Sequence, residues 1–182
     1  MFQIRRNLLA MLPFLALGCS GSSGASVRGV PSASLPEYSG SEALLFDDSI
    51  AGDTVEAGFG SPDLAKRQLI SERSKRSELI VPARVATVSA LGRSFEVTFE
   101  PVGAPLRGEP LGSALTLTVS PRMPAFAFLE SHSSQLSRSN VILFLKRYSV
   151  DESIEIHFRI EPDNPPMRQA IERALALMAL GS

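Results

Sequence analysis

Ile154-Glu155-Ile156-His157-Phe158-Arg159-Ile160-Glu161 decides the fold class of this chain. Apolar and polar residues alternate without a break. A period of two belongs to a β-strand with one face on a core and the other wet. Working backwards, Val141-Ile142-Leu143-Phe144-Leu145 is apolar at every position. It reads as a central strand covered on both faces. Ser149 to Ser153 turns the chain between the two strands. Working forwards, Pro162 stops the second strand, and Asp163 or Asn164 caps a helix with Pro165 and Pro166 in its first turn. Met167, Ala170, Ile171, Ala174, Leu175 and Met178 then form one apolar stripe, which suits a helix packed on a sheet.

Three more strands precede this pair. The first runs from Leu79-Ile80-Val81 through Ala83 to Ser89, and Leu91-Gly92-Arg93 turns it into Phe95, Val97 and Phe99. Pro101 to Gly112 holds three Pro and three Gly and reads as a long loop. Leu115, Leu117 and Val119 alternate with Thr116 and Thr118 as another strand. Phe126, Phe128 and Leu129 are expected to pack, and Ser131 to Ser139 to form a Ser-rich loop or a short helical turn. Upstream, Ser61-Pro62-Asp63 opens a helix that runs to about Arg76 or Glu78. Lys66, Arg67, Arg73, Lys75 and Arg76 make it the most basic part of the chain, and it reads as a solvated helix. The fold class expected is mainly β (α+β): a small five-stranded barrel of the OB type, or a curled antiparallel sheet, with an N-terminal helix and a C-terminal amphipathic helix.

Two resemblances enter here. Val85-Ala86-Thr87-Val88, a turn, and Phe95-Glu96-Val97-Thr98-Phe99 are followed by Pro105-Leu106-Arg107-Gly108 and later by Val141–Leu145. That order loosely resembles the netrin-module-like OB domains of some secreted proteins and bacterial lipoproteins. The secreted family usually adds a Cys framework, and this chain has one Cys. At the start of the chain, Arg5 and Arg6 precede an apolar run, Leu8 to Gly18, that ends at Cys19. A basic start, an apolar middle and a small residue before the cut make a secretory signal peptide. Leu15-Ala16-Leu17-Gly18-Cys19 resembles the lipobox of bacterial lipoproteins, with the preferred Leu displaced by one position. The resemblance implies that Cys19 is acylated and becomes the first mature residue. The apolar run is shorter than the ~20 residues of a membrane-spanning helix, and it contains Pro13. Arg5-Arg6-Asn7-Leu8-Leu9 also looks a little like a twin-arginine signal.

The organisation expected is therefore 1–18 signal peptide, 19–40 lipidated Cys and flexible Ser/Gly tether, 41–78 arm and helix, and 79–182 β domain with its C-terminal helix. Losing Arg5 and Arg6 with the leader changes 18 basic and 19 acidic residues to 16 and 19. That balance gives no support to nucleic-acid binding. Ser20 follows the Cys, where Asp is an inner-membrane retention signal in some bacteria, so the outer membrane is favoured.

The inventory for catalysis is poor. His132 and His157 are the only His residues, and no Gly-x-Ser-x-Gly occurs. His157, on the polar face of its strand, reads as a solvated or cross-strand residue. Asp47, Asp48, Asp53 and Glu56 lack the spacing of a Ca²⁺ loop, so turn and cap roles are expected. No cofactor or metal site is assigned. The reading is a non-catalytic lipoprotein, joined to the membrane through acylated Cys19, that binds an envelope protein; Pro101 to Gly112 and Phe126 to Ser139 are its candidate contact surfaces. The alternatives are an apolar ligand held among Phe95, Phe99, Phe126, Phe128, Phe144 and Phe158, and a hydrolase using the two His residues.

Overall fold

A computed structural model describes residues 35–55, 64–151 and 153–181. Cys19, the expected leader, residues 20–34 of the expected tether and the Ser61-Pro62-Asp63 helix start lie outside them. The elements run α1 (Gly40–Ala43), β1 (Ser49–Ile50), a 3-10 turn (Gly52–Thr54), α2 (Leu64–Arg76), β2 (Leu79–Leu91), β3 (Ser94–Pro101), β4 (Leu115–Val119), α3 (Pro124–Leu136), β5 (Asn140–Val150), β6 (Ser153–Pro162) and α4 (Pro165–Leu180). All five expected strands form, as β2 to β6. The sheet order is β1-β6-β5-β2-β3-β4. Every pairing is antiparallel except the short β1, which lies parallel to β6.

The expected barrel does not close. β1 and β4 are the two edges of an open sheet; the α+β class expected holds, with six strands and four helices among the described residues. The reason lies in the faces. A small barrel buries one face of each strand, whereas β5 buries both. Val141, Leu143 and Leu145 enter one core with Val81, Val85, Val97 and Phe158, closed by Ala125, Leu129 and Leu136 of α3. Ile142 and Phe144 enter a second core with Ile80, Leu45 and Phe46, closed by Ile70 of α2 and by Met167 and Ile171 of α4. Two cores on opposite faces need a flat-lying sheet between them.

The second correction concerns α3. Proline occupies its first turn, and Ala125, Leu129 and Leu136 recur at helical spacing on its buried face. The first part of the Ser131–Ser139 segment, read as a Ser-rich loop or a short helical turn, is thus the end of a 13-residue helix, and Ser131 and the capping Ser137 bond to carbonyls one turn back. The chain leaves it through Arg138 at φ 72, and the amide of Arg138 then donates to the Val85 carbonyl at 2.9 Å. A register shift between Val85 and Thr87 marks the point where β2 passes from pairing with both neighbours to pairing with β3 alone.

The long loop after β3 is tied down rather than free. Arg107 bridges Ile80, and its guanidinium donates to the carbonyls of Ser74 and Lys75 at the end of α2. Gly108 has φ +86, and a Cβ there would lie 2.5 Å from the Glu78 carbonyl oxygen, so only Gly fits. α4 starts as expected: the Asn164 side chain accepts from the Met167 amide at 2.9 Å. Among the described residues no helix is long and apolar enough to cross a membrane.

Candidate functional site

From His157 onwards the polar face of β6 is not wet, and Glu155 alone of its four charged residues stays exposed. Glu155, His157, Arg159 and Glu161 point to the same side of the sheet as Phe144 and Tyr148 of β5, opposite which they pair. Residues 36–50 cross that side as an arm. The arm begins where the Ser149 amide donates to the Pro36 carbonyl and Glu37 bridges Ser149. Residues 36–40, expected as the last part of a flexible tether, thus lie against the sheet. From there the arm crosses the face of β5 and β6 and reaches the outer edge of β6 as β1.

Three groups of charges hold the arm. At the first, Asp48 has φ 51 and serves several partners at once. Its carboxylate accepts from His157 Nδ1 at 2.7 Å and from the Phe158 amide at 2.9 Å. Its carbonyl accepts from the Ala125 amide at the start of α3. Tyr38 stacks on the His157 ring with centroids 3.6 Å apart and planes within 6°. His157 is 8% exposed, which corrects the solvated reading.

At the second, Glu42 of α1 accepts from Tyr148 at 2.5 Å, from Arg76 at 2.7 Å and from Lys146 at 3.2 Å. Burial by itself would raise the Glu42 carboxyl, but these three donors hold it below the usual carboxylate range. Both tyrosines are pushed the other way. Burial, then the Asp48, Asp47 and Glu42 carboxylates, lifts Tyr38 to about 12. Burial, then its bond to Glu42, raises Tyr148 well above the usual phenol range.

At the third, Glu161 accepts on one oxygen from Arg73 Nη1 at 2.9 Å and Arg159 Nε at 3.0 Å. Arg159 also donates to Asp47 and Ser49 of the arm. Arg73 donates to the arm's Leu45 carbonyl at 2.6 Å. Burial pulls the Arg73 guanidinium down from its ordinary value, with Glu161 opposing that pull. The second Glu161 oxygen has no hydrogen-bond partner among the described residues, and the Lys66 ammonium lies 3.8 Å from it.

The Asp48–His157 pair has the form of a base held by an orienting carboxylate. With Nδ1–H donated to Asp48, Nε2 is left as the acceptor. That nitrogen is buried and makes no hydrogen bond among the described residues, and the nearest carboxylate, Glu155, is 3.6 Å away. The ring is stacked under Tyr38, so the pair faces the arm that it fastens. His132 lies on α3, across the sheet from His157, and bonds to the Phe128 carbonyl at 3.3 Å. The two His residues are not brought together. The six Phe residues also divide: Phe95, Phe99, Phe126, Phe128 and Phe158 belong to the α3 core and Phe144 to the other. They do not line one cavity.

One surface is left open. On the face that carries the arm, β2 to β4 extend beyond the helices, and Arg84, Thr87, Glu100, Thr116 and Thr118 are exposed there. Cross-strand bonds organise it: Arg84 to Glu100 at 2.5 Å and Thr98 to Thr116 at 3.3 Å. β4 is the free edge beside it. Of the expected contact segments, the Pro101–Gly112 loop keeps an exposed Val102 but anchors Leu106 and Leu111 on the cores. The Phe126–Ser139 segment is mostly α3, a cover of the core.

Sequence reasoning missed Tyr38, Glu42, Glu161 and the Asp48–His157 pair. A signal existed. Glu-x-His-x-Arg-x-Glu on one strand face mixes both signs of charge, and the short acidic stretch Glu42 to Asp48 offers partners for it. No protein-family model, curated protein or solved structure matches this chain.

Proposed function

We propose that this is an exported lipoprotein, anchored to the bacterial envelope through acylated Cys19, with the outer membrane favoured. Its folded part is a non-catalytic module that binds an envelope protein. The observation that carries the reading is the Arg5-Arg6, Leu8–Gly18, Cys19 sequence, which ends a signal-peptide pattern on the chain's one Cys. The geometry supports it in two ways. The arm fastens the membrane-side segment to the sheet through buried ion pairs, as a module held by its N-terminus requires. The open half of the sheet around Arg84, Glu100, Thr116 and Thr118 then offers an ordered polar surface to a partner.

The test is fractionation with mass measurement. The mature protein carries the mass of a diacylglyceryl-modified, N-acylated Cys19 and sediments with membranes. Cys19→Ala loses the acyl mass and leaves the membrane fraction after processing. An unmodified Cys19 in the wild type, or membrane association that survives Cys19→Ala in a processed chain, sinks the anchor reading.

A further inference from the structure

We propose that the C-terminal turn of α4, with Leu177 and Leu180, is the surface by which the folded domain rests on the lipid bilayer. The inference builds on the anchored reading above and names the lipid as the partner of a specific surface.

The upstream part of α4 covers the sheet, burying Met167, Ile171 and Ala174. Its last turn runs past the core. Leu177 is 59% exposed, Met178 37% and Leu180 85%. One such residue on a surface needs no account, but three within one turn form an apolar tip. The position of the tip names its occupant. Arg107 Nη1 touches Met178 Sδ at 3.6 Å and also bonds to the Ser74 and Lys75 carbonyls, so the tip lies beside the C-terminal end of α2. Glu78 follows directly and bonds to Arg147 at 2.6 Å. Two residues further along β5, Ser149 receives the arm at Pro36. The tip and the point where the described chain begins therefore share one end of the molecule. Sixteen peptide steps lead from Cys19 to Leu35, a span of at most about 55 Å when fully extended. A lipid fixed at Cys19 keeps this end of the domain close to the bilayer.

The contact is apolar in kind. Lys75 pairs with Glu72, Arg76 with Glu42 and Arg147 with Glu78. Arg107 is spent on carbonyls. Most of the basic charge at this end faces a carboxylate, so headgroup charge is a minor part of the attraction, and the contact survives added salt. A small apolar tip is a weak ligand for a free domain. For a tethered one the second contact is intramolecular, and a high effective concentration replaces affinity.

The experiment uses the acylated full chain in phosphatidylethanolamine–phosphatidylglycerol vesicles. An environment-sensitive dye is placed through Ala176→Cys, an exposed site beside Leu177 and one turn from Leu180, or through Gly92→Cys on the β2–β3 turn at the other end. Lipids brominated on their acyl chains are the quencher. The expected result is a blue-shifted dye at position 176, quenched several-fold more than at position 92, with no loss between low and high salt. Leu177→Glu with Leu180→Glu should return the dye at 176 to its water-like emission while the protein still floats with the vesicles. A water-like, unquenched dye at 176 on protein that floats overturns the seat and leaves the anchor standing. Quenching abolished by salt overturns the apolar contact. A chain that carries no acyl mass and does not float fails at Cys19, which mass spectrometry reads separately.

Discussion

Glu161 is 1% exposed and faces Arg73, Arg159 and Lys66. A charge buried among charges is costly to make and more costly to break. Replacing Glu161 by Gln leaves Arg73, whose side chain is 4% exposed, without its counter-charge. The expected cost is about 3–5 kcal/mol by urea unfolding. Replacing Arg73 by Met together with Glu161 by Leu removes both charges and should cost less than Glu161→Gln alone. A double variant less stable than the single one would show that the pair itself, and not the stranded charge, carries the energy. His157 is expected to behave as a fastener: His157→Ala should loosen the arm, read as faster amide exchange at residues 45–50.

At the scale of elements, the arm is a pH-sensitive attachment with limits on both sides. Glu42 is held below the ordinary carboxylate range. A depressed carboxyl contributes stability that is complete above its unfolded value and is lost as pH falls through the folded one. Tyr38 is raised to about 12, so its contribution is complete below the ordinary phenol value near ~10 and is lost as pH climbs towards its folded value. The arm should therefore stay docked from the carboxylate range to above pH ~10. Tyr148→Phe removes a hydrogen bond to the Glu42 carboxylate and should cost about 1.5–3 kcal/mol at neutral pH. Its difference from wild type should shrink in acid as Glu42 protonates, and a gap that stays constant down to low pH would place the energy elsewhere.

The elements were legible wherever one periodicity ruled. β5 was read as covered on both faces, and it is. β6 was read as half wet because Glu155 to Glu161 alternate correctly. Alternation reports which residues share a face; it does not report whether that face meets water or a segment of matching charge. α3 was harder still. Pro121 and Pro124 together with five Ser residues between 131 and 139 read as broken chain, yet Ala125, Leu129 and Leu136 supply enough burial to outweigh the poor helix propensity of Ser. Barrel or open sheet was not legible, because closure depends on how α3 and the α2–α4 pair share the two faces, and strand count does not state that.

The whole molecule has two unlike ends. β2 runs antiparallel to β5, so the β2–β3 turn at Gly92 lies far from Ser149, where the arm joins. Along the two strands that separation is about 17 residues, or roughly 55 Å at ~3.3 Å per residue. The open half of the sheet lies towards the Gly92 end. A photo-crosslinker at Thr118 should therefore capture the envelope protein partner proposed above, and one at Ala176 should not. Capture from 176 in place of 118 would move the partner surface to the other end of the molecule.

The arm has one more consequence, a mechanical one. If Cys19 is held in a membrane and the partner moves, the pull enters the domain at Pro36 and Glu37, where the arm pairs with Ser149. It next meets the Tyr38–His157 stack and the Glu42 donors, which seat the arm on β5 and β6. Residues 36–50 can yield first, paying out up to about 50 Å of slack at ~3.5 Å per residue. β5 and β6 feel the pull only through these contacts, and the backbone that leads on to α2 and β2 is not drawn taut until that length is spent. The arm is then a fuse: under tension it gives way while the surface that holds the partner keeps its shape.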